Sequence, residues 1–196
     1  LATHYWEGRY ILELEDLTRS PKVFENFQND WLDQQERRYR LWGMLTPCLV
    51  ATFYSLPGRL SGAVRDGGKI LKQPMTGFAD LLVVDEAGQA APEIAGASFL
   101  LAKRALVIGD VDQIEPVWSA TMPVDKGDAW KNGIVRKRDE AHWEEVAAKG
   151  ILASNGTVMR IAQRATPYWT EPGLQRGLYL YDHYRCWDEI IQFSND

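Results

Sequence analysis

Cysteine and histidine are scarce in this chain of 196 residues. Its two cysteines, Cys48 and Cys186, are too few for a disulfide framework or a cysteine-rich zinc site. Its three histidines, His4, His142 and His183, are too far apart to form a His-x-x-x-His metal motif. The sequence therefore favours a reducing, cytoplasmic setting and indicates no zinc site.

Long apolar runs and hydrolase motifs are also missing. No stretch approaches the roughly 20 apolar residues that a membrane-spanning helix needs. No signal peptide is recognisable either, because Trp6-Glu7-Gly8-Arg9 interrupts the apolar residues near the start. There is no Gly-x-Ser-x-Gly sequence, and neither cysteine has a convincing histidine partner, so serine or thiol hydrolysis is not supported. We expect no membrane partner.

The overall composition is that of a folded protein. Hydrophobic residues make up 45% and charged residues 25%, which argues against wholesale disorder. The length suits one domain, or about one and a half domains at roughly 100–200 residues each. Because Leu1 rather than methionine stands first, we interpret the sequence as a piece of a longer chain.

The net charge of −5 is unevenly distributed. Residues 80–125 carry eight acidic and two basic side chains, whereas residues 47–79 carry one acidic and four basic ones. The acidic total argues against a protein that coats nucleic acid by bulk charge. A local basic track along Arg59, Arg65, Lys69 and Lys72 remains compatible with binding to a phosphate backbone, or with an ordinary solvated loop.

Residues 1–45 predict a helical hairpin. Aromatic and aliphatic side chains recur at helical spacing over residues 1–19 and again over residues 22–43. Ser20-Pro21 is typical of the start of the second helix, and Gly43 is placed to end it.

The middle of the chain predicts a strand–helix–strand unit. Apolar runs at residues 48–54, 79–84 and 105–108 predict buried strands, and residues 92–103 predict a helix. Residues 58–78 read as a Gly-rich basic connection. Further helices are predicted at residues 139–149 and 156–165, a last strand at residues 178–181 and a helix from about residue 187. The predicted fold class is α/β.

Two adjacent carboxylates, Asp85 and Glu86, follow the second of these strands. Ligand sites in open α/β sheets lie at the carboxyl ends of strands. In P-loop ATPases an aspartate at this place holds Mg²⁺ and a glutamate activates the attacking water. The alternative is that both are solvated acids at the end of a strand.

Two further groups follow apolar strands and carry chemistry that suits a phosphate site. Gln113 has an amide able to donate a hydrogen bond to a terminal phosphate, and Gly109 permits a close backbone approach. Arg185 carries a guanidinium able to stabilise charge on a transferring phosphoryl group. Taken singly, Gln113 fits an ordinary loop residue and Arg185 fits a helix-start arginine paired with a nearby acid.

Together the three groups resemble motifs II, III and IV of superfamily 1 helicases. They are most similar to the branch of the nonsense-mediated-decay RNA helicase and its bacterial relatives, and residues 52–55 stand where that family has motif Ic. The matching segments are Thr52-Phe53-Tyr54-Ser55, Asp85-Glu86-Ala87-Gly88-Gln89, Gly109-Asp110-Val111-Asp112-Gln113-Ile114-Glu115-Pro116 and His183-Tyr184-Arg185-Cys186.

The resemblance implies ATP and Mg²⁺ as cofactors and assigns roles to individual residues. Asp85 would hold Mg²⁺, Glu86 would be the catalytic base, and Gln113 and Arg185 would contact the γ-phosphate. The remaining nucleotide-side residues would be Gln89, Gly109 and Asp110, and the residues that contact single-stranded DNA or RNA would be Thr52, Ser55, Arg59 and Trp118. With eight tryptophans in the chain, a core role is the alternative for Trp118.

The resemblance also implies a division of the chain around a partial RecA-like fold. Residues 1–45 would be a helical insertion or stalk, and residues 46–125 the later part of a first RecA-like domain. Residues 126–177 would be a mostly helical connector, and residues 178–196 would begin a second RecA-like domain.

The chain departs from the family in lacking a phosphate-binding Gly-x-x-x-x-Gly-Lys-(Ser/Thr) loop. Gly68-Lys69 comes nearest, but Ala63 replaces the first glycine and Ile70 the hydroxyl residue. We therefore expect a helicase or translocase piece that does not hydrolyse ATP alone. The alternatives are a non-catalytic module that binds nucleic acid or protein, and a P-loop ATPase used for signalling or assembly.

Overall fold

The chain has a mixed α/β fold in the computed structural model, which describes residues 2–19, 31–112, 114–136, 139–169 and 173–180. The described part holds seven α-helices and two two-stranded sheets. The helices are α1 Ala2–Thr18, α2 Leu32–Leu45, α3 Leu56–Arg59, α4 Pro92–Phe99, α5 Met122–Lys131, α6 Glu140–Ala147 and α7 Val158–Ala165. The strands are β1 Ser61–Asp66, β2 Lys69–Pro74, β3 Leu82–Val84 and β4 Ala105–Val107. The predicted α/β class is confirmed, while the division into domains stays a prediction.

The first two helices pack against each other, as the sequence predicts. The predicted start of α2, at residue 22, lies outside the described residues. The helix runs two residues beyond the predicted end at Gly43 and stops before Thr46, whose backbone N–H and hydroxyl both donate to the carbonyl of Trp42. Thr46 precedes Pro47, and a residue before proline is disfavoured in helical conformation. The proline rather than the glycine therefore accounts for the end of α2.

The predicted strand at residues 48–54 is wrong. This segment has no strand partner within the described part of the chain, and Val50 is 90% exposed. Residues 48–52 have no regular structure, and residues 53–55 form a turn in which the Ser55 N–H donates to the Thr52 carbonyl at 3.1 Å. A short apolar run can occur in a strand, a helix or a loop, so its apolar character alone does not fix the structure.

Residues 58–78 are not a simple connection, because they contain an antiparallel hairpin of β1 and β2. Gly67 and Gly68 form its two-residue turn with φ of 53° and 81°, which glycine adopts without a steric penalty. On its other side β1 approaches Trp31 and the start of α2. All six residues of β2 are exposed.

The predicted strand–helix–strand unit is confirmed as β3, α4 and β4, with the two strands parallel. Helix α4 ends at Phe99, earlier than predicted. The expectation that both faces of the sheet are covered is wrong for the described residues. Val84 is 2% exposed, whereas Val83 and its partner Leu106 are 54% and 49% exposed.

Helices α6 and α7 lie where the sequence predicts them, and both have a capping side chain. Asp139 accepts from the His142 N–H at 2.9 Å, and Thr157 accepts from the Arg160 N–H at 3.1 Å. Helix α5 was not predicted. The predicted last strand is absent at residues 178–180, and its final residue and the following helix lie outside the described residues.

Buried hydrophobic residues form three separate clusters in the described part of the chain. The strand-end cluster lies beneath β3 and β4, the hairpin cluster beside β1 and β2, and the α5–α6 cluster between those helices. Their members are respectively Val84, Ala87, Ala95 and Val158; Leu56, Leu60, Met75 and Leu101; and Ala129, Val135, Trp143, Val146 and Leu152. Among the helices described, none has the length and apolar character required to cross a membrane.

Candidate functional site

The two acidic motifs meet at the carboxyl ends of β3 and β4. We call residues 85–89 the Asp-Glu loop and residues 109–112 the Gly-Asp loop. The Ile108 N–H donates to the Val84 carbonyl at 2.8 Å, and the Ala87 N–H donates to the Ile108 carbonyl at 2.9 Å. These bonds continue the parallel pairing past the strands. The loops are therefore held side by side at the sheet edge where α/β proteins bind ligands.

Two glycines allow this close approach. A Cβ on Gly88 would lie 2.2 Å from the carbonyl oxygen of Asp110, and one on Gly109 would lie 2.8 Å from the backbone nitrogen of Ala87. Either contact is too short for a real side chain. The close approach predicted at Gly109 is confirmed, whereas the need for Gly88 was missed because it depends on which loop lies opposite.

Glu86 has an unusual backbone conformation. Its φ of 53° and ψ of 42° place it in the left-handed region, and it is the one non-glycine residue with positive φ among those described. A side chain here costs about 1–2 kcal/mol of backbone strain. Strain of this kind concentrates at functional sites, so it adds an independent reason to look at this loop.

The carboxylate of Asp85 is exposed and only partly engaged. One oxygen, Oδ1, accepts from the Glu86 N–H at 3.0 Å. No group of three or more metal-binding side chains occurs in the described residues. A single carboxylate still fits Mg²⁺, which proteins bind through one or two carboxylates together with waters and substrate phosphates.

Gln89, Gly109 and Asp110, which are predicted to lie beside the nucleotide, also belong to these loops. Asp110 accepts from the Asp112 N–H through Oδ1 at 2.9 Å, which fixes the turn after β4. Gln89 ends the short 3₁₀ turn of residues 87–89 and is exposed. Gln113 and Arg185 lie outside the described residues, so their predicted roles stay predictions.

The predicted nucleic-acid residues Thr52, Ser55 and Arg59 lie on one short segment. The Thr52 hydroxyl donates to the Ser55 hydroxyl at 3.2 Å, and Arg59 ends α3 four residues later. Phe53, within this segment, packs against the strand-end cluster beneath the Asp-Glu loop. The structure thus brings the segment to the same core as the acidic loops.

Arg59 is also linked to α2. Its carbonyl accepts from the Tyr39 hydroxyl at 3.2 Å. Burial raises the pKa of the Tyr39 phenol above its ordinary value, although the positive charges of Arg59 and Arg38 act in the opposite direction. The backbone of Arg59 is thereby anchored to α2, while its side chain is exposed.

Trp118 has a structural contact that the sequence did not reveal. Its indole N–H donates to the Gly156 carbonyl at 3.0 Å, and the side chain is half-buried. This bond connects the segment after the Gly-Asp loop to the start of α7. Base stacking by Trp118 stays a prediction, with a packing role now visible beside it.

Helix α7 supports both acidic loops, which sequence reasoning missed. The Val158 N–H donates to the Ala90 carbonyl at 2.9 Å, just after the Asp-Glu loop. Arg160 binds Glu115, beyond the Gly-Asp loop, with 3.0 Å between Nη2 and Oε1. The pattern of residues 156–165 indicated a helix, but nothing in it indicated which loops the helix would contact.

Comparison of the chain with protein-family models, curated proteins and solved structures finds no match.

Proposed function

We propose that this chain is part of an ATP-driven helicase or translocase of the superfamily 1 type, acting on single-stranded DNA or RNA. In this proposal β3, α4 and β4 belong to a RecA-like motor domain. The observation that carries the proposal is the meeting of the Asp-Glu and Gly-Asp loops at adjacent parallel strand ends.

The exposed acids of the Asp-Glu loop are assigned different tasks. Asp85 would hold Mg²⁺ through its carboxylate, and the bound ion would supply positive charge that stabilises the phosphates of ATP. Glu86 accepts the proton of the attacking water. The left-handed backbone at Glu86 supports this role, because strained conformations of this kind concentrate at functional sites.

The segment with Thr52, Ser55 and Arg59 is assigned to the nucleic acid. Two neighbouring hydroxyls and a guanidinium are suited to phosphate oxygens, which supply most contacts in nucleic-acid complexes. Phe53 packs on the same cluster as Ala87 of the Asp-Glu loop. A strand bound at this segment therefore has a packed connection to the catalytic loop.

The proposal requires a phosphate-binding loop, which these 196 residues lack, elsewhere in the same protein. Its test is Glu86→Gln in the full-length protein that carries this chain. We expect ATP binding to persist and nucleic-acid-stimulated ATP hydrolysis to fall about 10²–10⁴-fold, the usual contribution of a general base. Nucleotide binding and phosphate release would be measured with and without single strands.

Glu144→Gln is a matched control, because it makes the same chemical change at an exposed position on α6. Its hydrolysis rate should equal that of the wild type. Near-normal turnover of Glu86→Gln would contradict the assignment. A wild-type protein that binds single strands but never hydrolyses ATP would instead support the non-catalytic binding module.

A further inference from the structure

A cleft outside the acidic site has the chemistry of an anion-binding surface. It has a volume of about 560 Å³ and lies between α7 and the segment that follows residue 172. Its lining residues are Ala148, Arg160, Gln163, Arg164, Gln175 and Arg176. The volume falls within the roughly 300–1,000 Å³ of ordinary ligand sites. We call it the arginine cleft.

The surrounding segment is basic although the chain is acidic. Residues 148–180 contain Lys149 and the three cleft arginines against a single acid, Glu171, while the whole chain carries −5. Of the cleft arginines, Arg160 is paired with an acid, Glu115. Among the described residues no carboxylate lies within salt-bridge distance of Arg164 or Arg176. The described part of the chain therefore supplies no acid that neutralises these two arginines.

Each of the three guanidinium groups also contacts an uncharged partner. Arg160 Nη1 donates to the Asn155 carbonyl at 3.0 Å, and Arg164 Nη2 donates to the Ala148 carbonyl. The Arg176 guanidinium lies 5.8 Å from the centroid of the Trp169 ring. Each guanidinium has five N–H donors, so these contacts orient the group and leave donors for phosphate oxygens.

Exposed aromatic rings adjoin the cleft. Tyr168 and Trp169 are 58% and 60% exposed, and Trp169 is anchored by a hydrogen bond from its indole N–H to the Leu174 carbonyl at 3.2 Å. A basic groove combined with exposed aromatic rings is the usual surface for single-stranded nucleic acid, in which bases stack and phosphates bind cations. Binding of free phosphate alone would not require these aromatic rings.

We propose that the arginine cleft binds single-stranded nucleic acid, with Arg164 and Arg176 on successive phosphates and Trp169 stacked on a base. The inference rests on the proposed function for its choice of polymer. It adds a second contact region, separate from the Thr52, Ser55 and Arg59 segment.

The test uses the 196-residue chain and a fluorescently labelled oligothymidylate, with binding followed by anisotropy over a range of salt concentrations. Removing both charges with Arg164→Gln/Arg176→Gln should weaken binding at least about tenfold. Since each phosphate contact on a single strand contributes about 0.7 to the slope of log K against log salt, the slope should fall by about 1.4. Arg9→Gln/Arg19→Gln removes the same charge from α1 and from the residue that follows it, and should change neither quantity.

Two further variants distinguish a loss of nucleic-acid recognition from a loss of folding. Arg164→Lys/Arg176→Lys keeps both charges, so the salt slope should stay near that of the wild type while affinity falls through loss of the planar fork. Trp169→Ala should weaken binding of oligothymidylate about tenfold, and should have no effect on an abasic oligonucleotide, which has no base to stack. Circular dichroism would show that each variant remains folded.

Three results would overturn the inference. The first is that the wild-type chain does not bind the oligonucleotide. The second is that the cleft variants and the control variant bind it with equal affinity. The third is that the cleft arginines bind ATP or inorganic triphosphate while the oligonucleotide does not bind. None of them decides the proposed function, which depends on the hydrolysis assay of Glu86→Gln. Conversely, normal hydrolysis by that variant would leave the oligonucleotide result standing.

Discussion

The geometry of the candidate site depends on a few residues through their backbone conformation more than through their side chains. Gly88 and Gly109 let two loops touch through their main chains, and Glu86 is held in a left-handed conformation between them. Because both glycines contact main-chain atoms, a larger residue in place of either one could not be accommodated by the movement of a neighbouring side chain. The acidic side chains are thus positioned by local geometry that tolerates little change.

Gly88→Ala should therefore destabilise the chain by about 1–3 kcal/mol, the usual cost of forcing an extra carbon into a packed site. The added Cβ would lie 2.2 Å from the Asp110 carbonyl oxygen. Gly96→Ala is the control, since Gly96 lies in α4 with nothing within 4 Å of an added Cβ. It should stabilise the helix by about 0.5–1 kcal/mol. Urea unfolding of the two variants measures both changes, and equal stabilities would contradict the packing of the loops.

The sequence predicted only part of this geometry. Gly109 was expected to permit a close approach because glycine has no side chain, and the structure shows the backbone of Ala87 lying against it. The left-handed backbone of Glu86 was not foreseen, since glutamate has no preference for that conformation and only tertiary contacts impose it. Local sequence therefore identified the chemical groups, but not the strain at one of them.

At the scale of elements, the parallel pair of β3 and β4 is covered on one face. Leu82, Val84 and Val107 pack in or against the strand-end cluster, whereas Val83 and Leu106 point to the other, exposed face. Side chains alternate between faces along a strand, so neighbouring valines on β3 experience opposite environments. The burial of each valine, rather than its strand propensity, should therefore determine how much it contributes to the stability of the fold.

Threonine substitution at the two valines tests this asymmetry, because threonine matches valine in shape and replaces one methyl group with a hydroxyl group. Val84→Thr should cost about 1–3 kcal/mol, since the hydroxyl loses water without gaining a partner. Val83→Thr should stay within about 0.5 kcal/mol of the wild type, as surface substitutions usually do. Thermal or urea unfolding would give both values. A large loss at Val83 would mean that its face is covered in solution.

The sequence predicted some elements better than others for physical reasons. Helices α6 and α7 have periodic apolar residues and capping side chains at Asp139 and Thr157, all of which are local signals. The hairpin was missed although its Gly67-Gly68 turn was visible, because β2 is fully exposed and lacks a pattern of buried residues. The segment at residues 48–54 shows the reverse error, an apolar run without a strand partner.

In the described part of the molecule, the buried hydrophobic residues form three separate clusters in place of one core. Other large hydrophobic side chains are mostly exposed, among them Ile11 at 55% and Ile70 at 66%. Small clusters leave more apolar surface uncovered than a single core does. The area buried on folding should accordingly be smaller than is usual for this length.

The dependence of unfolding on urea should reveal this directly. A compact protein of this mass buries about 23,000 Å² on folding. Because the m-value scales with the area exposed on unfolding, the m-value of this chain should be lower than that of a compact two-state protein of equal length. Sedimentation velocity in the same buffer would establish that the chain is monomeric. A monomer with the full m-value would contradict the open packing, because its exposed faces would then have to be buried within the chain.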